Sequence, residues 1–208
     1  MRFFTLGLIL TLTPGTSPAA PPAKEKAKDP VYFPADVGAE WVYESEDGEG
    51  LEIHKVTFVE EKKDAKVFTV VERTQAKGSD RKRIRTTKKY KVSGTGLFLL
   101  ADGGTKYDPP ECQLKLPHVD SGKWDNAKPG LLPSVIFEAF GPSRIKLSVG
   151  KYDAVCVEKT MYMNNLVAHE YYWFAPDVGI VKISRQFITP QWKTWVLKSF
   201  TPGKTVKK

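Results

Sequence analysis

Helical periodicity is almost absent from these 208 residues, which argues against helical bundles and helix-flanked sheets. Reactive groups are also sparse. There are three histidines, His54, His118 and His169, and no two share the spacing of a metal-ligand pair. The two cysteines, Cys112 and Cys156, lie far apart and form no C-x-x-C. No G-x-S-x-G elbow, S-x-x-K motif or glycine-rich phosphate loop occurs, so the common hydrolase and nucleotide-binding signatures are missing. No catalytic residue, metal or cofactor is expected, and an unrecognised hydrolase ranks behind the binding functions.

Only one long apolar run exists, Phe3 to Leu12, and it follows Arg2. It is too short to span a bilayer as a helix, and small residues follow it, so residues 1–19 read as a signal peptide. Residues 20–30, rich in Pro, Ala and Lys, read as a flexible tether. Residues 31–202 form a single domain, and 203–208 a basic tail. The mature chain is expected to be exported, periplasmic or extracellular, with no transmembrane segment. Export permits a disulfide, so Cys112 and Cys156 either pair or remain separate buried thiols.

What is present is short apolar or alternating segments cut by turn signals. Strands are expected at Trp41–Glu46, Leu51–Glu60, Lys66–Thr74, Arg81–Val92 and Leu97–Ala101. Five more follow at Arg144–Val149, Tyr152–Met163, Val167–Ala175, Ile180–Ile188 and Trp192–Phe200. Short turns between consecutive strands imply an antiparallel meander. So many strands must curl. The expected fold is all-β: a single curved, mainly antiparallel sheet, a half-barrel or open barrel with little helix. Six prolines fall within Tyr107–Pro142. That region is expected to supply edge strand and loop, and a flap over the sheet.

The segment YYWFAPDVGIVK at 171–182 reads as a hairpin. Pro176 and Asp177 suit the corners of a type I turn, and Gly179 suits the exit. Alternation puts Tyr171 and Trp173 on one face, Tyr172 and Phe174 on the other. Both faces are therefore apolar here, as they are at LFLL (97–100) and VFTVV (67–71). Two apolar faces need two covers. One is the core; the other is the flap, a partner, or an apolar or amphipathic ligand such as a lipid, for which Phe98, Tyr171 and Trp173 are the candidate contacts.

Two motifs carry a resemblance. YFPADVGAEWVY at 32–43 and WFAPDVGIVK at 173–182 resemble the opening segment and the hairpin of a group of poorly characterised exported bacterial β-sheet proteins. VGKYDAVCVE at 149–158 is similar to a third element of that group. The resemblance implies a curved antiparallel sheet similar to the open barrels of lipoprotein-localisation carriers. It transfers no catalytic residue.

The sharpest polar feature is RKRIRTTKKYK at 81–91, seven basic residues and no acid in a chain of formal net charge +8. As a strand it aligns Arg81, Arg83, Arg85, Lys89 and Lys91 on one face. Such a stripe either meets a polyanion, an anionic envelope component rather than nucleic acid in an exported protein, or is a solvated outer face. The expected function is thus non-enzymatic binding of an apolar or amphipathic ligand on the concave face. The alternative is an envelope interaction through the basic strand.

Overall fold

The computed structural model describes residues 31–126, 134–163, 166–186 and 191–204. The expected signal peptide and tether lie outside them. The described residues form one sheet of twelve antiparallel strands, with no helix among them. In chain order these are β1 (Glu40–Ser45), β2 (Gly50–Lys62), β3 (Ala65–Ala76), β4 (Arg83–Ser93), β5 (Gly96–Asp102) and β6 (Thr105–Lys115). They continue as β7 (Gly122–Asp125), β8 (Ser134–Leu147), β9 (Gly150–Met163), β10 (Leu166–Ala175), β11 (Gly179–Gln186) and β12 (Trp192–Thr201). The spatial order is β6-β5-β4-β3-β2-β1-β12-β11-β10-β9-β8-β7. Two meanders therefore join where β1 pairs with β12, between Glu40↔Thr201 and Ser45↔Trp195.

Register shifts interrupt most of the ladders, among them Val56/Phe58, Glu72/Arg73, Trp173/Phe174 and Phe140/Ser143. Each adds a residue to one strand and raises the local twist, so the sheet coils into an open barrel. The edge strands β6 and β7 meet across a seam without a backbone ladder. The Trp124 indole donates to the Cys112 carbonyl at 2.8 Å, and the Cys112 N–H donates to Asn126 Oδ1 at 3.1 Å. Lys159 on β9 reaches Glu111 on β6 at 2.8 Å.

Most described residues of the proline-rich region enter the sheet, as β6, β7 and much of β8, rather than forming a flap over it; residues 116–121 connect β6 to β7. Pro109 and Pro110 lie on β6, an edge strand, and Pro142 falls in the Phe140/Ser143 bulge of β8. Both are positions where a missing ladder donor is tolerated. Lys204, at the start of the expected tail, bridges to Val37, its N–H donating to the Val37 carbonyl at 2.9 Å.

One inner face carries the core, including Trp41, Phe68, Phe137, Val155, Val157, Phe174, Val181 and Leu197. Its cover at one end of the barrel is the segment before β1. Phe33 stacks on Phe68 at 5.2 Å and lies 4.9 Å from Trp41, ring centre to ring centre. This plug docks on the β10–β11 hairpin. The Asp177 N–H donates to the Val31 carbonyl at 2.7 Å, and the Tyr43 hydroxyl to the Ile180 carbonyl at 3.0 Å. The turn is not type I: Asp177 has φ +60°, whereas the second corner of a type I turn has φ near −90°. Aspartate tolerates that region, and the conformation accompanies the N–H bond to the plug. The two motifs behind the resemblance are thus the two sides of a single contact.

Candidate functional site

Below the plug the inner face changes character. On β2, Glu52 and His54 lie opposite Tyr43 and Trp41 of β1, and so point inward. Glu72 of β3 lies opposite His54. Glu52, His54, Glu72 and Arg185 of β11 are 1%, 6%, 2% and 2% exposed, values that charged groups reach only when paired.

The pairing is dense. His54 Nε2 lies 2.8 Å from Glu52 Oε1 and 3.8 Å from Glu72 Oε1. Arg185 Nη1 donates to Glu52 Oε2 at 3.2 Å, and Arg85 Nη1 donates to the same oxygen at 2.9 Å. Lys88 Nζ lies 2.9 Å from Glu72 Oε1. Arg185 Nε is 3.6 Å from Glu170 Oε1, and the Tyr172 hydroxyl donates to Glu170 Oε2 at 2.9 Å. Three carboxylates therefore face Arg85, Lys88 and Arg185. Two buried atoms in this layer, Glu72 Oε2 and Arg185 Nε, have no hydrogen-bond partner.

The electrostatics follow from this arrangement. Burial alone would raise the Glu52 pKa, but the His54 hydrogen bond and the Arg185 and Arg85 charges hold it well below the ordinary carboxylate range. Burial opposes ionisation of Glu72 too, and the His54 and Lys88 charges still hold its pKa down. Burial followed by the Glu52 and Glu72 charges pushes the Tyr43 phenol up, and burial followed by Glu170 does the same for Tyr172.

Glu52, His54 and Glu72 bring three ligand-type atoms within 4.8 Å of one another. The set does not suit a metal ion. Arg85, Arg185 and Lys88 already bond the same carboxylates, and a divalent cation would enter against three fixed positive charges. The cluster instead sets each of its carboxylates against a basic neighbour. It acts as an ionic layer tying β2, β3, β4, β10 and β11 together.

Beyond this layer the barrel opens. A recess of about 420 Å³ at the mouth is lined by Arg81, Arg83, Lys193, Glu49 and Trp195, among others. At the opposite, plugged end a groove of about 1160 Å³ runs beside the plug, with Tyr32, Phe33, Val92, Leu116 and Pro117 in its lining and Lys62 and Lys63 along it.

The basic residues expected to form one stripe are separated. Arg81 and Arg83 line the mouth. Arg85 sits where the β3–β4 register slips, with Glu72↔Thr86 followed by Arg73↔Ile84, and reaches inward to Glu52. Lys89 stays exposed, and Lys91 places its ammonium 4.8 Å from the Phe98 ring centre. The candidate apolar contacts lie on the outer face, opposite the core positions Leu97, Leu99, Tyr172 and Phe174. Phe98 on β5 is not joined to the other two. Tyr171 and Trp173 on β10 are 6.0 Å apart, and Tyr171 is 5.4 Å from Trp192. Beneath them Glu158 Oε1 accepts from the Tyr171 hydroxyl at 2.8 Å and lies 2.9 Å from His169 Nδ1. Cys112 and Cys156 are both buried free thiols.

The buried layer escapes sequence reasoning. Leu51 and Ile53 alternate with Glu52 and His54, so the acidic and imidazole positions read as the wet face. Their partner Arg185 is 133 residues away.

No family model matches the chain, and no match was found among curated proteins. Two solved structures share the fold. One is a "putative exported protein with YmcC-like fold" from Bacteroides fragilis, with a TM-score of 0.53 and 11% identity, covering 83% of this chain and 99% of that one. The other is a "putative lipoprotein" from Parabacteroides distasonis, with a TM-score of 0.51 and 13% identity, covering 84% and 100%. The class that the fold defines is therefore an all-β open barrel of YmcC-like architecture. At such identities the likeness concerns the fold alone. No helix among the described residues is long and apolar enough to cross a membrane.

Proposed function

We propose that the protein is exported and binds an amphipathic ligand, held in the groove at the plugged end rather than deep on the concave face. Two sequence features support export: the apolar run Phe3 to Leu12 behind Arg2, and the small residues after it. The two structural neighbours, a "putative exported protein" and a "putative lipoprotein", agree with that reading. The middle of the concave face is the less suitable seat, because rings and ion pairs of the chain itself are buried there.

One observation carries the ligand class. The groove combines apolar lining at Tyr32, Val92, Leu116 and Pro117 with Lys62 and Lys63, while two of its three acids, Asp36 and Glu61, are paired with Lys66. A hydrocarbon chain would lie along the first set and an anionic headgroup against the second, as in pockets where a few charges orient a mainly apolar ligand. The same acyl-chain chemistry would be offered by a free fatty acid or by an acyl group on a larger lipid.

The test is titration with the fluorescent fatty acid cis-parinaric acid. Saturable enhancement is expected, reduced at least tenfold in affinity by Leu116→Glu and less by Lys62→Glu with Lys63→Glu. An unenhanced wild type, or Leu116→Glu binding like wild type, rejects the proposal. Envelope contact through a continuous basic strand is the weaker reading, because the bulge at Arg85 turns part of that strand inward.

A further inference from the structure

The recess at the open mouth lies at the opposite end of the barrel from the proposed lipid groove and calls for a different ligand. We propose that it binds a small acidic ligand, a sugar-sized ring bearing a phosphate or carboxylate. At about 420 Å³ it falls at the low end of the range for small-molecule sites and is much larger than a lone oxyanion needs.

Its positive charge is only partly compensated. Arg81, Arg83 and Lys193 line it, with Glu49 the one acid in the lining. Lys193 reaches Glu49 only at 3.8 Å. Among the described residues, neither Arg81 nor Arg83 has an ion pair or a side-chain hydrogen bond, although Arg85 on the same strand is committed to Glu52. Two guanidinium groups left open beside one recess match a phosphate or carboxylate, which they grip with paired N–H donors.

The recess is also held in place. The Gln75 amide donates to the Ser79 carbonyl at 2.6 Å, and the Arg81 N–H donates to Ser79 Oγ at 3.2 Å. These bonds tie the loop carrying Arg81 to the end of β3. Across from it, Trp195 is anchored on β12 between Ser45 and Ile183 and lines the recess. The Arg185 guanidinium carbon lies 5.3 Å from the Trp195 ring centre. A cation over an aromatic ring offsets the negative potential of its π face, so a ring with an attached anion can approach this tryptophan at lower electrostatic cost. The arrangement thus places an aromatic ring next to two free arginines. That suits an acidic sugar, free or at the end of an envelope glycan, better than a bare ion or a neutral sugar.

Calorimetry and NMR on the mature chain test this with four probes: glucose 6-phosphate, glucuronate, glucose and inorganic phosphate. At least one acidic sugar should bind, more weakly as salt rises because the pairs are solvent-exposed. Binding should shift the indole cross-peak that is lost in Trp195→Phe, one of five tryptophans. Arg81→Glu with Arg83→Glu should weaken binding at least tenfold without moving the thermal midpoint, while Lys89→Glu with Lys91→Glu should not. Methyl glucuronide binding as well as glucuronate assigns the site to a chain terminus; loss of binding on methylation assigns it to the free acid. No binding of either acidic sugar overturns the proposal. So does equal binding by glucose or by inorganic phosphate, and so does unchanged affinity in the Arg81/Arg83 variant. Failure of cis-parinaric acid to bind has no bearing on these outcomes, because the groove lies at the other end.

Discussion

The indole N–H of Trp41 donates to the carbonyl of Val178 at 2.6 Å, joining the first strand to the β10–β11 hairpin across 137 residues. Trp41 is fully buried, and Gly179 follows Val178 with φ +92°. A Cβ at Gly179 would lie 3.5 Å from Phe33, Pro34 and Trp41. That distance is ordinary contact, so the glycine is needed for its backbone conformation and not for space. Gly179→Ala is expected to cost about 1–2 kcal/mol from left-handed strain. Trp41→Phe keeps most of the ring but strands the Val178 carbonyl, at about 1–3 kcal/mol. Urea denaturation followed by circular dichroism measures both. A neutral Gly179→Ala would mean that the hairpin relaxes to another turn.

The buried ionic layer should respond asymmetrically to substitution. Glu52→Gln leaves Arg185, at 2% exposure, short of its carboxylate. Removing one partner of a buried pair typically costs about 3–5 kcal/mol. Replacing Glu52 and Arg185 together by Leu and Met should cost less than the sum of the single changes, since no uncompensated charge then remains between those two. A double-mutant cycle in urea checks this. Additive single effects would show that the two groups do not interact.

How far this layer could be read from the sequence depends on where its partners sit. Local signals placed the hairpins well: D-G-E-G at 47–50 separates β1 from β2, and A-P-D-V-G separates β10 from β11. Those signals depend on backbone preferences within a few residues. The inward direction of Glu52 and His54 depends on register with Trp41 and Tyr43 and on an arginine at the far end of the chain. The proline-rich middle misleads for a related reason. Proline forbids a central ladder position, and it does not forbid an edge or a bulge, which is where Pro109, Pro110 and Pro142 lie. Which end of the barrel the N-terminal segment plugs is likewise a tertiary fact, although Phe33 and Gly179 were already visible as motif positions.

Stability should fall at both extremes of pH. Glu52 and Glu72 have depressed folded pKa values. Their contribution is present above the unfolded carboxylate value of about 4.3 and is lost as pH falls below it. Tyr43, Tyr172 and Lys88 have raised folded pKa values, Lys88 because the Glu72 charge outweighs its burial. Their contribution is present below about pH 10 and is lost as pH rises beyond it. Urea midpoints measured from pH 2 to pH 11 should trace a plateau with two falling limbs. Glu52→Gln should make the acid limb shallower, because one of the carboxylates that must be protonated is gone. An acid limb unchanged in Glu52→Gln would place the titrating groups elsewhere.

The thiols offer a readout of the seam. Cys112 lies where β6 meets β7, its carbonyl held by Trp124 and its N–H by Asn126. Burial raises its thiol to about 11, and burial followed by the Glu158 charge raises Cys156 to about 12. Since the reactive species is the thiolate, both should react slowly with a disulfide reagent near neutral pH. In unfolding concentrations of urea, without reductant, two thiols per chain should react quickly. Trp124→Ala removes the indole bond to the Cys112 carbonyl and the ring stacked 5.5 Å from Phe137. It should accelerate Cys112 selectively, leaving Cys156, outside the seam on β9, at its native rate. Equal acceleration of both would indicate global destabilisation, and no acceleration would mean that backbone and neighbouring side chains close the edge without Trp124. A chain that shows no free thiol in urea without reductant would instead carry a Cys112–Cys156 disulfide.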